Sequence, residues 1–248
     1  MATKDSAVVK RGSQQLKAVK NFALETGDKI LTNASGEVQI LFADRTRILV
    51  GPASEFHVQN VKMTSKNKAR KFAVRALSGS FRFLSGDSKK QAYKIKTPSV
   101  TMGIRGTEFD FVVPTRSQTR VVAFSGQVQV CNRRNSCSYI TGGCDLTTVV
   151  RSKFYNPKTN ADRLTLLATE FPLVADQRRY NRDFRVNTDE CGGVQEAVNA
   201  VRSRTTATPK AVEVERPAVA NQSDAEIRSD RGSAPAPEPD YDESADEN

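Results

Sequence analysis

Residues 96–113 read KTPSVTMGIRGTEFDFVV, and this stretch decides the fold of the chain. Its last residues alternate, with Phe109, Phe111 and Val113 on one side and two carboxylates among the residues of the other side. That period of two predicts a β-strand with one buried face. Pro98 cannot donate a hydrogen bond to a ladder, so it belongs at the start of a strand or at a sheet edge.

Four residues in the middle of this stretch form the candidate site: Gly103, Arg105, Gly106 and Thr107. The two glycines predict a tight turn, because glycine adopts backbone angles that side chains forbid. Arg105 offers five donors on a planar fork, so we expect it to pin the turn to backbone carbonyls or to a carboxylate. The alternative is an anion-recognition turn, although the sequence shows no helix N-terminus here.

Short runs with the same period of two recur along the chain and predict an all-β fold, a compact sandwich or roll of many short strands. In one of these runs Phe81 and Phe83 share the inner face, and Arg82 is expected to face solvent. The predicted strands are 37–42, 47–50, 55–61, 70–77, 80–84, 92–96, 107–113, 119–124 and 127–131.

Composition divides the chain of 248 residues into four segments. Residues 1–22 have a weak pattern and are expected to form a loosely held N-terminal arm, whereas residues 23–150 form the all-β domain. Residues 151–202 predict a small C-terminal extension, with a short helix near its end, that is held by a disulfide rather than by a core of its own. Residues 203–248 cannot bury enough apolar surface to fold, so we expect a disordered acidic tail.

Charge is distributed unevenly along this chain, whose net charge is +10. Residues 1–210 hold 35 of the 38 basic side chains and 17 of the 28 acidic ones, whereas residues 211–248 hold 3 and 11. A basic body favours anionic partners such as nucleic acid, an acidic polysaccharide or a membrane surface. The acidic tail is expected to compete with such partners for the basic surface.

The four cysteines predict two disulfides, because their spacing lacks the close pairs of zinc sites and the single histidine is remote. A polar turn separates Cys131 from Cys137, so these two can pair across a hairpin, which leaves Cys144 for Cys191. Four cysteines also allow two other connectivities, and the spacing leaves them open. Disulfides belong in an oxidising compartment, so we expect a periplasmic or secreted protein whose signal peptide is not part of this sequence and which has no membrane span.

The sequence indicates no catalytic, cofactor-binding or metal-binding residues. His57 lies on the polar side of a predicted strand, where a histidine is seldom a general base. Disulfide pairing leaves no free thiol as a nucleophile, and neither a P-loop nor a G-x-G-x-x-G motif occurs. We therefore expect a protein that is not an enzyme and takes no cofactor.

Three parts of the chain, taken in order, resemble the FecR-like domain family, and together they cover residues 25–131. Many members have glycine where this chain has Arg45, so the first hairpin turn is expected to be longer or of another type. The similar segments are 27–32, 38–46 and 51–54 for the pattern GD-x-I-x-T … F-x-D-x-T … GP-x-S, 77–86 for L-x-x-G-x-F-R-F-x-S-G, and 97–109 for TP-x-x-T-x-G-I-R-G-T-x-F.

This resemblance implies an all-β domain that acts as a periplasmic sensing or interaction module. In the founding member such a domain passes the state of an outer-membrane transporter to a cytoplasmic sigma factor. This sequence shows neither the membrane span nor the cytoplasmic helical segment of that route, so a binding or scaffolding role is expected. The expected partner is a protein or an anionic polysaccharide of the cell envelope.

Two other functions stay open as alternatives. A basic nucleic-acid-binding module is one, since residues 103–106 match the G-x-x-G of a KH clamp, although both flanks of the motif are strand-like. A hydrolase of acidic glycans is the other, and it would require paired carboxylates that the sequence does not single out.

Overall fold

The structure is a computed structural model that describes residues 2–4 and 7–206. From residue 207 on, the predicted disordered acidic tail lies outside the described residues. Within the described part the strands are β1 (Ala2–Lys4), β2 (Ala7–Arg11), β3 (Gln14–Lys17), β4 (Lys29–Thr32), β5 (Glu37–Leu41), β6 (Arg47–Val50), β7 (Glu55–Met63), β8 (Ala69–Leu84), β9 (Tyr93–Lys96), β10 (Val100–Thr115), β11 (Gln118–Asn132), β12 (Cys137–Thr141), β13 (Asp145–Val150) and β14 (Lys153–Tyr155). The helices there are α1 (Asn160–Glu170), α2 (Pro172–Ala175) and α3 (Val194–Thr206).

These strands form one continuous sheet that folds over an apolar core. The first layer has the order β3-β2-β4-β7-β8-β9-β10-β11-β12, and the second has the order β1-β5-β6-β8-β10-β11-β13-β14. The long strands β8, β10 and β11 each contribute one half to each layer. Neighbouring strands are antiparallel except for β8 and β9. The all-β prediction is confirmed, but β8 and β11 each join two of the predicted strands, and β7 and β10 are longer than predicted.

Aromatic side chains join the two layers in the core. The rings of Phe56 in the first layer and Phe81 in the second have centroids 5.9 Å apart. Phe72 and Phe83 meet edge to face at 6.0 Å. Both phenylalanines of the Phe-Arg-Phe run therefore point inward, as predicted. Each buried ring of this kind contributes about 1.5–3 kcal/mol relative to an exposed one.

Three glycines mark the places where the long strands bend from one layer into the other. Gly79, Gly106 and Gly126 have φ values of +99°, +63° and +70°. A Cβ on Gly126 would lie 2.0 Å from the carbonyl oxygen of Gly106, so no larger residue fits there. The predicted turn around Gly106 is therefore wrong: the chain forms a bulge within β10 between Arg105 and Glu108. The bulge moves the buried side chains from even to odd positions in the sequence. The period-two pattern is interrupted there, which is why the sequence predicted separate short strands.

The N-terminal segment is part of the sandwich and not a loosely held arm. Strand β2 pairs with β4, and Val9, opposite Ile30, is completely buried. Arg11 at the end of β2 donates to both carboxylate oxygens of Asp28 at 2.8 Å. The pattern of residues 1–22 is weak because only one short face of this segment is buried, and its pairing partner comes later in the chain.

Asp28 is expected to make the fold sensitive to acid. Burial by itself raises the pKa of this carboxyl, but the hydrogen bonds from Arg11 and from the Glu25 N–H outweigh it, so the pKa lies below its ordinary value. The interaction therefore stabilises the fold above about pH 4, the ordinary pKa of an unfolded aspartate, and is lost as the pH falls through the lower folded-state value. Replacing Asp28 with asparagine should lower the melting temperature most at pH 7, and the difference from wild type should narrow below about pH 4.

The control for this experiment is Asp183→Asn, which changes an exposed carboxylate. Melting curves of the three proteins between pH 2.5 and 8 measure the effect. A constant difference between wild type and Asp28→Asn over that range would contradict the assignment.

The C-terminal extension covers the outer side of the second layer and has an apolar core that it shares with the sheet. Leu167 of α1 and Phe171, between α1 and α2, belong to one apolar cluster with Val122 and Phe124 of β11. The extension therefore has no apolar cluster separate from the sheet, and packing holds it in addition to the expected disulfide. Helix α3 also continues past Arg202 to Thr206, so the first residues assigned to the tail are helical. None of the described helices is long and apolar enough to cross a membrane.

Candidate binding surface on the first layer

The outer side of the first layer is open and basic, and we call it the basic face. Residues directly opposite each other in neighbouring strands share a side of the sheet. Lys10 lies opposite Lys29, and Arg75 lies between His57 on one side and Lys96 on the other. The cations of the basic face are Lys10, Lys17, Lys29, Lys62, Lys71, Arg75, Lys94, Lys96 and Arg105.

None of these cations forms an ion pair with a carboxylate of the described residues. Glu55, which shares the face, contacts His57 at 2.8 Å. Clustered like charges raise the local potential and attract anions, and an exposed sheet does not require them for folding. The charge of the basic face therefore suits an anionic partner.

A groove crosses one end of the basic face and has a volume of about 360 Å³. Lys94 of β9 and Arg105 of β10 line it, together with Lys90 from the short turn before β9. On the other side it is lined by Gln127 and Gln129 of β11 and by Tyr139 of β12, so that side is uncharged. The described residues that line the groove include no aspartate or glutamate.

The floor of the groove is the backbone at Gly103. This residue lies opposite Gln129 in the sheet, and a Cβ added to it would meet the Gln129 Oε1 at 3.5 Å, an ordinary contact. The other end of the same amide is fixed, because the Gln129 Nε2 donates to the Tyr139 hydroxyl at 2.8 Å. Tyr139 is 56% exposed, so its ring is available to a ligand.

The predicted site residues divide between the groove and the fold. Arg105 is exposed and makes no hydrogen bond to a described residue, so it does not pin a turn, and Arg105→Lys is not expected to destabilise the domain. Gly103 and Arg105 line the groove, whereas Gly106 lies at a corner of the sandwich. Thr107 is buried, and its backbone N–H donates to the Ser85 Oγ at 3.0 Å.

The arginine that organises the structure is Arg82, which the sequence analysis placed in solvent. It is fully buried and bound by both carboxylate oxygens of Asp110, at 2.7 and 2.8 Å. Its Nη atoms also donate to the Leu173 and Phe184 carbonyls and to the Gln177 side chain, at 3.1, 3.2 and 2.6 Å. These three acceptors belong to residues 171–186, a segment that we call the strap. An alternating Phe-Arg-Phe run carries no signal that a distant segment covers its polar side.

Asp44, the aspartate of the F-x-D-x-T pattern, also has a structural role. It is buried and accepts hydrogen bonds from the Thr46 N–H, the Ser88 hydroxyl and the Tyr93 hydroxyl, at 3.0, 2.6 and 2.8 Å. Burial raises the pKa of Tyr93, which keeps that hydroxyl a donor. The next residue, Arg45, has a φ of +65°, so the hairpin loop uses the left-handed conformation without glycine.

The cysteines form two disulfides, as the spacing predicted. Cys131 pairs with Cys137 between β11 and β12, and Cys144 pairs with Cys191 of the extension. His57 is half-buried beside Glu55 on the basic face. Within the described residues no three histidine, cysteine, aspartate or glutamate side chains cluster as metal ligands would.

Comparisons with known proteins find one matching family model and two matching solved structures. The family model described as FecR protein matches residues 28–129, a range that includes Gly103 and Arg105. Two solved structures from Parabacteroides distasonis, each of a protein provisionally assigned as an anti-sigma factor, also match. One has 13% sequence identity over 56% of this chain and 63% of its own, with a TM-score of 0.43. The other has 12% identity over 71% of this chain and 91% of its own, with a TM-score of 0.44. No curated protein matches this chain in sequence.

Proposed function

We propose that this protein, whose residues 28–129 match the FecR family model, is a non-catalytic sensing and interaction module of the cell envelope that binds an anionic partner through its basic face. The family implies signalling and protein partners. A periplasmic or secreted location is supported by the two disulfides, which belong in an oxidising compartment.

The observation that carries this proposal is the absence of carboxylate partners for the cations of the basic face among the described residues. A surface of this kind attracts anions over a distance of about 8 Å at physiological salt, and the attraction weakens as salt is added. Partners that fit it are an acidic segment of a protein or an acidic polysaccharide. Either would be recognised by charge first and by shape afterwards.

The alternative functions find less support in the described surface. Single-stranded nucleic acids are bound on several stacked aromatic side chains, and Tyr139 is the exposed aromatic residue at the groove. A glycan hydrolase of the usual type uses two carboxyl groups beside the substrate, and the groove lining contains none.

Neutralising part of the basic face is expected to weaken the binding of a polyanion. In the variant Lys29→Gln/Lys71→Gln/Lys96→Gln, three exposed charges outside the groove are lost. At about 0.5 kcal/mol for each contact, the association constant for fluorescent polyglutamate or polygalacturonate should fall roughly ten-fold at low salt. Fluorescence anisotropy over a salt series measures both the affinity and its salt dependence.

The matched control is Arg116→Gln/Lys153→Gln/Lys158→Gln, which removes the same charge from exposed positions elsewhere. It should change the association constant by less than two-fold. Equal losses in both variants would mean that net charge alone drives binding. A wild-type protein that binds neither polyanion would overturn the proposal.

A further inference from the structure

We infer that the groove at Gly103 binds an acidic sugar unit, so that the partner recognised by the basic face is an acidic polysaccharide. This inference rests on the proposed function and names the ligand class of the same surface. The groove volume of about 360 Å³ lies within the range of roughly 300–1,000 Å³ that is usual for small-molecule sites.

The first argument is that Gly103 is not required by the backbone. Its φ is not in the left-handed region, and a Cβ at this position would touch its nearest neighbour at 3.5 Å, which is ordinary contact. Gly106, in contrast, has a φ of +63° at the sheet corner. A glycine inside a strand weakens the strand, and it commonly marks a place where a ligand approaches the backbone closely. The effect of Gly103 is to keep the floor of the groove open.

The second argument is the charge of the groove. Lys90, Lys94 and Arg105 lie on one side of the floor, and the described lining contains no carboxylate to neutralise them. Lys90 reaches over the corner, with its Nζ 3.2 Å from the position of a Cβ on Gly106. A planar guanidinium binds a carboxylate with two parallel hydrogen bonds, and ammonium groups add point charges beside it. The ligand unit therefore carries a negative group.

The third argument is the uncharged side of the groove, which fits a sugar ring better than a peptide. The Tyr139 ring is exposed, and its hydroxyl is held by the Gln129 amide at 2.8 Å, so the ring has a fixed position. A pyranose has one apolar face that stacks on such a ring, and its hydroxyl groups can pair with the amides of Gln127 and Gln129. An acidic peptide side chain offers a carboxylate but no flat apolar face.

The test is binding of three defined uronate tetramers, derived from pectin, alginate and hyaluronan, to the full chain by isothermal calorimetry. At least one is expected to bind wild type, and Gly103→Val should reduce its association constant at least ten-fold by filling the floor. Valine suits a strand, and its Cβ would meet no backbone atom within 4 Å, so the melting temperature should be unchanged. Tyr139→Leu should also weaken uronate binding, whereas Arg116→Gln, at an exposed position outside the basic face, should change the association constant less than two-fold.

Each other result of these binding experiments contradicts either the sugar inference, the location of the site or the proposed function. If none of the three uronates binds while polyglutamate does, the sugar inference fails and the proposed function stands. If Gly103→Val binds the uronate as well as wild type does, the groove is not the site. If hexaglutamate competes equally and Tyr139→Leu has no effect, the ligand is an acidic peptide. If neither polyglutamate nor any uronate binds, the inference and the proposed function both fail.

Discussion

Replacing Arg82 with methionine is expected to lower the free energy of unfolding by about 3–5 kcal/mol, the usual cost of leaving one partner of a buried ion pair without the other. Asp110 would stay buried without its partner, because its side chain is only 2% exposed. The Leu173 and Phe184 carbonyls would lose the donor that binds them to the sheet. For a domain of this size the melting temperature should fall by roughly 10 °C.

The same substitution is expected to loosen the strap before the rest of the domain unfolds. Arg82 is bonded to three of its residues, and the strap contributes Tyr180 to a small apolar cluster with Leu49. Limited trypsin digestion measures this effect, because the strap contains several cleavage sites. These sites are Arg178, Arg179, Arg182 and Arg185. Cleavage there should be much faster in Arg82→Met than in wild type.

The matched control is Arg75→Met on the same strand, where the arginine faces the basic face and forms no ion pair with a described residue. It should change the stability by less than about 0.5 kcal/mol. The double variant Arg82→Met/Asp110→Leu should recover part of the loss, because it removes the unpaired carboxylate. A stability loss under 1 kcal/mol in Arg82→Met, with the strap still resistant to trypsin, would show that the buried pair is not what holds the strap.

Removing the disulfide between Cys144 and Cys191 is expected to cost about 3–4 kcal/mol. The bond joins residues 47 positions apart, and cross-linking a long loop reduces the entropy of the unfolded chain more than cross-linking a short one. It also ties the extension to the sheet next to the cluster of Phe124 and Leu167. The double variant Cys144→Ala/Cys191→Ala, unfolded in urea without reductant, measures the loss.

The second disulfide provides the comparison. Cys131 and Cys137 are 6 positions apart and already face each other in paired strands, so Cys131→Ala/Cys137→Ala should cost only about 2 kcal/mol. Hydrogen exchange should show faster opening of α3 in the first variant alone. If both variants lose the same stability, or if α3 exchanges as in wild type, the long disulfide does not anchor the extension.

The local pattern of the sequence determined the class of the fold and much of its core. The period of two around Phe81, Phe83 and Phe109 predicted which side of each strand is buried, because side-chain alternation is a property of the strand itself. The pairing of Cys131 with Cys137 was predictable for the same reason, since a short polar turn brings them together. Arg105 and Gly103 were also singled out from sequence, although as a turn.

Only the tertiary structure decided which polar sides of the strands are covered by other segments and which stay exposed. Arg82 and Arg75 lie on the same strand in similar alternating patterns, yet one is buried under the strap and the other is open. The partners of Arg82 lie 95 and 102 positions away in the chain, at Gln177 and Phe184, so no local pattern reports them. The groove has the same origin, because its lining comes from β9 to β12 and from the turn before them. Which face of a sheet is covered depends on packing between segments that are distant in the sequence. That packing buries Arg82, which binds the strap, and leaves the basic face with Arg75 uncovered.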